Sequence, residues 1–241
     1  MPNAKPVAST RPRSSDTTKA DPSGAPINLK RWFDVSILLL IVSIVSTQTM
    51  MLSPLVPDVM LALDATPTQL AVAMGCYALA VALSALLLGP MMERFQRRKT
   101  LSLWSLVLAL ALLGGSIAIN WQSLAVAQFM AGIAAGVLLP MTYATAGDLA
   151  PPGKAGLIMG KVMMGWSLAM VGGVPLGGLL GDLFGWRGAL QVVALIVVII
   201  GCVSLLVSRY RPDQQSRPSA MTRHRPSLTR LAQALAVPSV K

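Results

Sequence analysis

Between Gly89 and Leu101 the chain reads GPMMERFQRRKTL, which places Arg94, Arg97, Arg98 and Lys99 with a single acid, Glu93, between two long apolar runs. A cluster of this kind can hold an anion, pair with carboxylates on a neighbouring segment, or pin a loop to one side of a membrane. The other reactive side chains offer less. Cys76 and Cys202 have no C-x-x-C spacing, and the one histidine, His224, lies in the C-terminal tail. Neither a metal centre nor a Cys-His nucleophile can be assembled from them. Serines such as Ser84 and Ser167 sit in apolar runs without a histidine to activate them, which argues against an enzyme.

Composition says what must position these residues. Of 241 residues, 54% are hydrophobic and 12% charged, against a charged share of about 25% in water-soluble domains. The formal charge of +11 could suggest nucleic acid, but it is concentrated in the tails. Residues 1–31 carry six Lys/Arg against Asp16 and Asp21, and residues 208–241 carry seven against Asp213. Both tails are rich in Pro, Ser and Thr and cannot bury a core, so the charge pattern excludes a nucleic-acid partner.

Uncharged intervals give the spans. There are 23 uncharged residues between Asp34 and Asp58, 28 between Asp64 and Glu93, 20 between Lys161 and Asp182, and 21 between Arg187 and Arg209. The 48 residues between Lys99 and Asp148 are enough for two crossings, with Asn120-Trp121-Gln122 as the turn. Because a helix needs about 20 apolar residues to cross a bilayer, six spans are predicted: 33–55, 68–92, 100–119, 122–146, 156–181 and 187–208. The runs are continuously apolar and do not alternate, which favours helices over barrel strands. Residues 1–31 contain no apolar segment of the signal-peptide kind, so the first span is expected to stay as an anchor.

With the N-terminus in the cytoplasm, 19 of the 20 Lys/Arg fall on the cytoplasmic side and only Arg187 lies outside. The positive-inside rule then predicts that both termini are cytoplasmic, in an inner-membrane protein. On charge alone the basic loop is a topology anchor.

Order and spacing add to charge. The loop reads Gly89-x-Met91-x-Glu93-Arg94-x-x-Arg97-Arg98, which resembles the G-x-L-x-D-R-x-G-R-R signature between helices 2 and 3 of the major facilitator superfamily, and it lies between spans 2 and 3 here. Glu93 stands for the aspartate and Gln96 for the second glycine. Span 5 and its exit read GGVPLGGLLGDLFGWRGAL, similar to the glycine-proline motif of the drug:proton antiporter branch and to sugar-efflux permeases. In that motif Gly173, Gly177 and Gly181 have the spacing that lets a neighbouring helix approach closely, Gly178 adds to it, and Pro175 should bend or loosen the helix. AGDLAPPGKAG resembles the stretch after helix 4, with Asp148 as its acid and Ala155 where an arginine is usual. The resemblance covers residues 33–208. It implies that Glu93, Arg94, Arg97, Arg98 and Asp148 form a conformational-switch loop contacting a neighbouring helix end and an opposite lobe.

Span 4 departs from the family. Where the pattern is R-x-x-x-G-x-x-x-G, this chain has Gln128, Gly132 and Gly136. The resemblance implies a proton gradient as the energy source. Gln128 argues against it, since a neutral amide cannot hold a carboxylate ionised, and no span carries Asp, Glu or His near its middle. In the family fold helices 1 and 4 line the cavity, which makes Thr47, Gln48, Thr49, Gln128, Thr142 and Tyr143 the candidate lining residues. The alternative for each is an interhelical hydrogen bond.

The expectation is an all-α membrane protein. It comprises a basic cytoplasmic tail over 1–32, a six-helix bundle over 33–208 built as 3+3 inverted repeats, and a basic linker over 209–241 whose segment Leu228 to Val237 resembles what precedes helix 7. Function is expected to be efflux of a drug-like, amphipathic or sugar-like molecule by the N-terminal half of a transporter, with a bound cofactor or metal unnecessary. The partners implied are the bilayer and a separate C-terminal six-helix half, or self-association. Two alternatives stand beside it: a transport-incompetent fragment or membrane interaction module, and a half-transporter working as a homo- or heterodimer.

Overall fold

The computed structural model describes residues 29–92, 95–151 and 153–205. Glu93, Arg94, the tail up to residue 28 and the linker from residue 206 onward, with Leu228 to Val237, lie outside the described residues. Among those described, all regular structure is helical: α1 (Leu29–Met51), α2 (Val56–Leu63), α3 (Pro67–Leu87), α4 (Gly89–Met92), α5 (Arg97–Ser116), α6 (Trp121–Leu149) and α7 (Ala155–Ser204). Five of these, all but α2 and α4, are long and apolar enough to cross a membrane.

Local chemistry accounts for the boundaries. Thr66 and Gln69 form a reciprocal capping box at the start of α3, followed by Pro67 at the first helical position, where its missing N–H costs nothing. Asn120 and Ser123 do the same for α6, so the expected polar turn at Asn120-Trp121-Gln122 is a helix start. Asp64 ends α2 in the left-handed conformation at φ 47°. The first span, expected to run to residue 55, ends at Met51, and turns at Ser53 and Leu55 separate α1 from the short α2 that follows it.

Helix α7 holds two spans. Its 50 residues would extend about 75 Å as one straight rod, more than twice a hydrocarbon core of about 30 Å. The backbone leaves the helical region at Gly185, with φ 67° and ψ 169°, a conformation that glycine adopts without steric cost. The limbs 155–184 and 186–204 therefore correspond to spans 5 and 6. Torsions stay helical through Pro175, so the break falls in the Phe184-Gly185-Trp186-Arg187 motif and not at the proline.

Packing gives the direction of each span. Lys161 lies over the Trp32 ring, and side chains built at Gly165, Gly173 and Gly177 would meet Leu39 and Ser43, Thr47 and Met50, and Met51. Residue numbers rise together, so α1 and the first limb of α7 run parallel. Gly132 against Tyr77 and Gly136 against Val81 make α3 and α6 parallel by the same test. The second limb runs antiparallel to α5, from Arg187 beside Ala118 to Arg98 beside Leu205. Exchanging the first three spans with the last three converts the pair 1–5 into 4–2 and returns 3–6 to itself, the pattern two inverted repeats produce.

Charge is polarised along the bundle. Arg31, Arg97, Arg98, Lys99, Lys154 and Lys161 sit at the end where α1, α5 and α7 begin, and among the described cations only Arg187 sits at the other. That exception is clamped: Arg187 donates to the Ala118 carbonyl at 2.9 Å and stacks on Trp186, 4.4 Å from its ring centre. Arg98 reaches the Leu205 carbonyl at 3.5 Å at the opposite end. Each arginine, at the start of one helix, thus serves the C-terminal carbonyls of the other, where a cation is favoured.

Candidate functional site

The bundle has a buried polar node in an apolar interior. Gln48 of α1 donates from Nε2 to Oε1 of Gln128 on α6 at 3.1 Å, and both side chains are buried. Gln48 Oε1 has no hydrogen-bond partner. The next residue in the chain, Thr49, shares a 3.0 Å hydrogen bond with the Tyr77 hydroxyl of α3. The node therefore links spans 1, 4 and 2 through neutral groups. Two narrow crevices meet at Gln128, one beside Leu52, Val56 and Leu70 and the other beside Ala111, Leu112 and Leu190. The first leaves no space for a water molecule.

The other candidate lining residues separate into two groups. Thr142 is fully buried and bonds back to the Leu138 carbonyl of its own helix at 2.7 Å, so it presents no hydroxyl to a cavity. Thr47 packs against Gly173. Tyr143 is half-buried, and its hydroxyl lies beside the Trp166 side chain of α7. Trp166 was not singled out from sequence. Its signal was modest: a tryptophan one turn past Met163 in a helix of otherwise aliphatic residues.

The glycine-proline motif is an α1-facing seam. A Cβ at Gly177 would lie 2.6 Å from the Met51 carbonyl oxygen, closer than real Cβ atoms approach, and one at Gly181 would strike Leu55. Gly178 and Gly89 have open space where a side chain would begin. Pro175 is exposed, as are its neighbours Val174 and Leu176. The family pattern's Gly132 and Gly136 form a second seam, against the backbone of α3 at Tyr77 and Val81.

At the basic end, Arg97 Nε and Asp148 Oδ2 pair at 2.9 Å, each about one-third exposed. Arg97 also points an N–H at Met141 Sδ, 3.3 Å away. Arg97 lies in the first turn of α5 and Asp148 in the last turn of α6. Each charge opposes the dipole of its own helix and is compensated by the other. Partly exposed pairs add little stability, typically under about 1 kcal/mol, so this one contributes little to holding the two helices together. Gln96, which stands where a glycine is usual, has φ −66° and ψ 114°. That is ordinary extended backbone, and no glycine is needed there. The remaining loop residues, Glu93 and Arg94, lie outside the described residues.

Parallel spans, two glycine seams and a charged interhelical pair define a helical bundle whose long helices are apolar enough to cross a membrane. Comparisons with known proteins agree. A crystallised bacterial homologue of the human lysosomal transporter Spinster, inward-facing and unoccupied, superposes with a TM-score of 0.73 at 16% identity, covering 86% of this chain and 50% of that one. The model of the Major Facilitator Superfamily matches residues 38–240, and the chain belongs to that family. A probable sugar efflux transporter of Mannheimia succiniciproducens is 32% identical over 155 residues, which is 64% of this chain and 38% of the relative. A chloramphenicol resistance protein of Streptomyces lividans is 29% identical over 159 residues, or 66% of this chain and 41% of the relative. The chain spans about half of the solved structure and less than that of these curated relatives.

Proposed function

We propose that the chain is one lobe of an efflux transporter that moves a small drug-like, amphipathic or sugar-like molecule by alternating access, against a second six-helix lobe. The observation that carries this reading is the combination of a closed bundle interior with polar groups gathered toward one set of helices. The crevices beside Gln128 are too narrow for a solute, so the face bearing Thr47, Thr49 and Tyr143 would become a binding wall only when something stands opposite. Similarity to a sugar efflux transporter and a chloramphenicol resistance protein supports small-molecule export as the task.

The Arg97–Asp148 pair would act as the switch. It couples the start of span 3 to the end of span 4, and Glu93 and Arg94 beside it would engage the second lobe in one access state. An exposed pair can break and reform at little cost, which is what a two-state element requires. The energy source would be an ion gradient. The Gln48–Gln128 node is neutral, so in a proton-driven cycle the proton would be carried by groups outside it.

Counterflow tests the reading without assuming a driving ion. Proteoliposomes holding this chain and a six-helix C-terminal lobe, loaded with unlabelled chloramphenicol or a disaccharide, should transiently accumulate the labelled compound from outside. Folded, paired protein that shows no counterflow with either compound would count against export of these classes.

A further inference from the structure

The first limb of α7 meets α1 along Ile158, Val162, Gly165, Ala169 and Gly173, which are buried, and this line leaves two flanks. One flank carries Trp166, which lies beside Tyr143 of α6, and so turns toward α6. The other carries Leu157, Met164, Leu168 and Val171, each at least half exposed, and among them Lys161. These positions recur at three- and four-residue steps, so they form one stripe on the helix. Lys161 is six residues inside a helix that starts at Ala155, about 9 Å along its axis. A cation at that depth on an apolar flank is unfavourable unless it reaches the interface or finds a counter-charge. Its Nζ lies 3.5 Å from the centre of the Trp32 ring, and no carboxylate stands within salt-bridge distance among the described residues. Lys154, seven residues earlier, is the N-cap residue of the same helix.

We infer that Lys161 and Trp32 form a headgroup site for an anionic phospholipid, whose phosphate pairs with the ammonium and whose acyl chains lie along Leu157, Met164 and Leu168. Charge complementarity and the apolar stripe directly below the cation favour a lipid over any water-soluble anion. The tryptophan holds the ammonium at interface level, where amphipathic rings of this kind concentrate. The site lies on the flank away from α6, so it is separate from the face proposed to bind the transported molecule.

Native mass spectrometry of the full chain, released from micelles containing equal phosphatidylglycerol and phosphatidylcholine, provides the test. The chain should retain phosphatidylglycerol preferentially, and Lys161→Gln should reduce that preference about fivefold, the effect of one interfacial cation. Lys161→Arg should keep it, Trp32→Leu should weaken it, and Lys99→Gln, which removes an exposed cation from the same end, should leave it unchanged. Equal losses from Lys161→Gln and Lys99→Gln would show diffuse attraction and overturn the site. Displacement of the lipid by soluble glycerol phosphate would also overturn it, by showing a simple anion site. If Lys161→Gln fails to insert, Trp32→Leu decides the matter: an undiminished preference there overturns the proposal.

Discussion

Gln48 and Gln128 meet in an apolar interior where interhelical hydrogen bonds average about 0.6 kcal/mol and reach about 1.7. Gln128→Leu leaves the Gln48 amide without its acceptor, so the melting temperature in detergent should fall by about 2–4 °C for each kcal/mol lost. Gln48→Leu together with Gln128→Leu should recover part of the loss, since no buried amide then remains unpaired. A larger loss in the double variant would contradict the direct bond. The Arg97–Asp148 pair should behave in the opposite way. Asp148→Asn should change stability by less than about 1 kcal/mol yet slow transport by the paired protein about fivefold or more, the scale of a conformational coupling. The charge-swapped Arg97→Asp with Asp148→Arg would restore part of the rate if the pair itself is the switch. Glu93→Gln keeps the cation count and should also slow transport, whereas a loop that merely anchors topology would be indifferent to it.

At the scale of elements, glycine placement governs which helices touch. Gly177→Ala puts a Cβ against the Met51 backbone, and Gly132→Ala puts one against the Tyr77 carbonyl. Overpacking of this kind costs about 1–3 kcal/mol. Gly178→Ala, with open space around it, should be neutral or slightly stabilising because alanine is the better helix former. Thermal unfolding of the three variants checks the ordering, and equal losses at Gly177 and Gly178 would refute the seam. Much of this was legible from spacing. Gly173, Gly177 and Gly181 announce a close approach, and the capped turn at Asn120 is visible in its letters. What spacing could not supply was the partner: nothing local says that the seam faces α1, or that Gly132 and Gly136 face α3. The break at Gly185 falls between the predicted spans 156–181 and 187–208, so its place was legible while its means, a glycine at positive φ, was not. Pro175 was expected to bend or loosen span 5, and the torsions there stay helical. The end of α1 at Met51, short of residue 55, and the separate short helix α2 were invisible to a count of uncharged residues.

For the whole molecule, charge and packing tell one story from independent sides. Counting cations predicted a single exception to a one-sided distribution, and among the described cations that exception, Arg187, lies alone at the opposite end of the bundle, clamped on the end of α5. The candidate site was only partly readable. Gln48 and Gln128 were evident as polar residues in apolar spans, but that they would meet each other, that Thr142 would turn back on its own helix, and that Trp166 would reach Tyr143 depend on helix rotation, which composition does not encode. A reporter active only outside the cytoplasm should stay silent when fused after Arg217 and become active when fused between Asp58 and Thr66. The reverse pattern would invert the proposed orientation.

The central claim is that this bundle is a lobe whose transport face is completed by a second one. The direct measurement is driven efflux of labelled chloramphenicol from vesicles containing residues 1–241 alone, set beside vesicles in which the same chain is co-expressed with a six-helix C-terminal lobe. The account predicts efflux from the paired vesicles and only background leakage from the chain alone. Equal efflux from both, with the chain alone folded and inserted, would contradict it and identify a self-sufficient half-transporter.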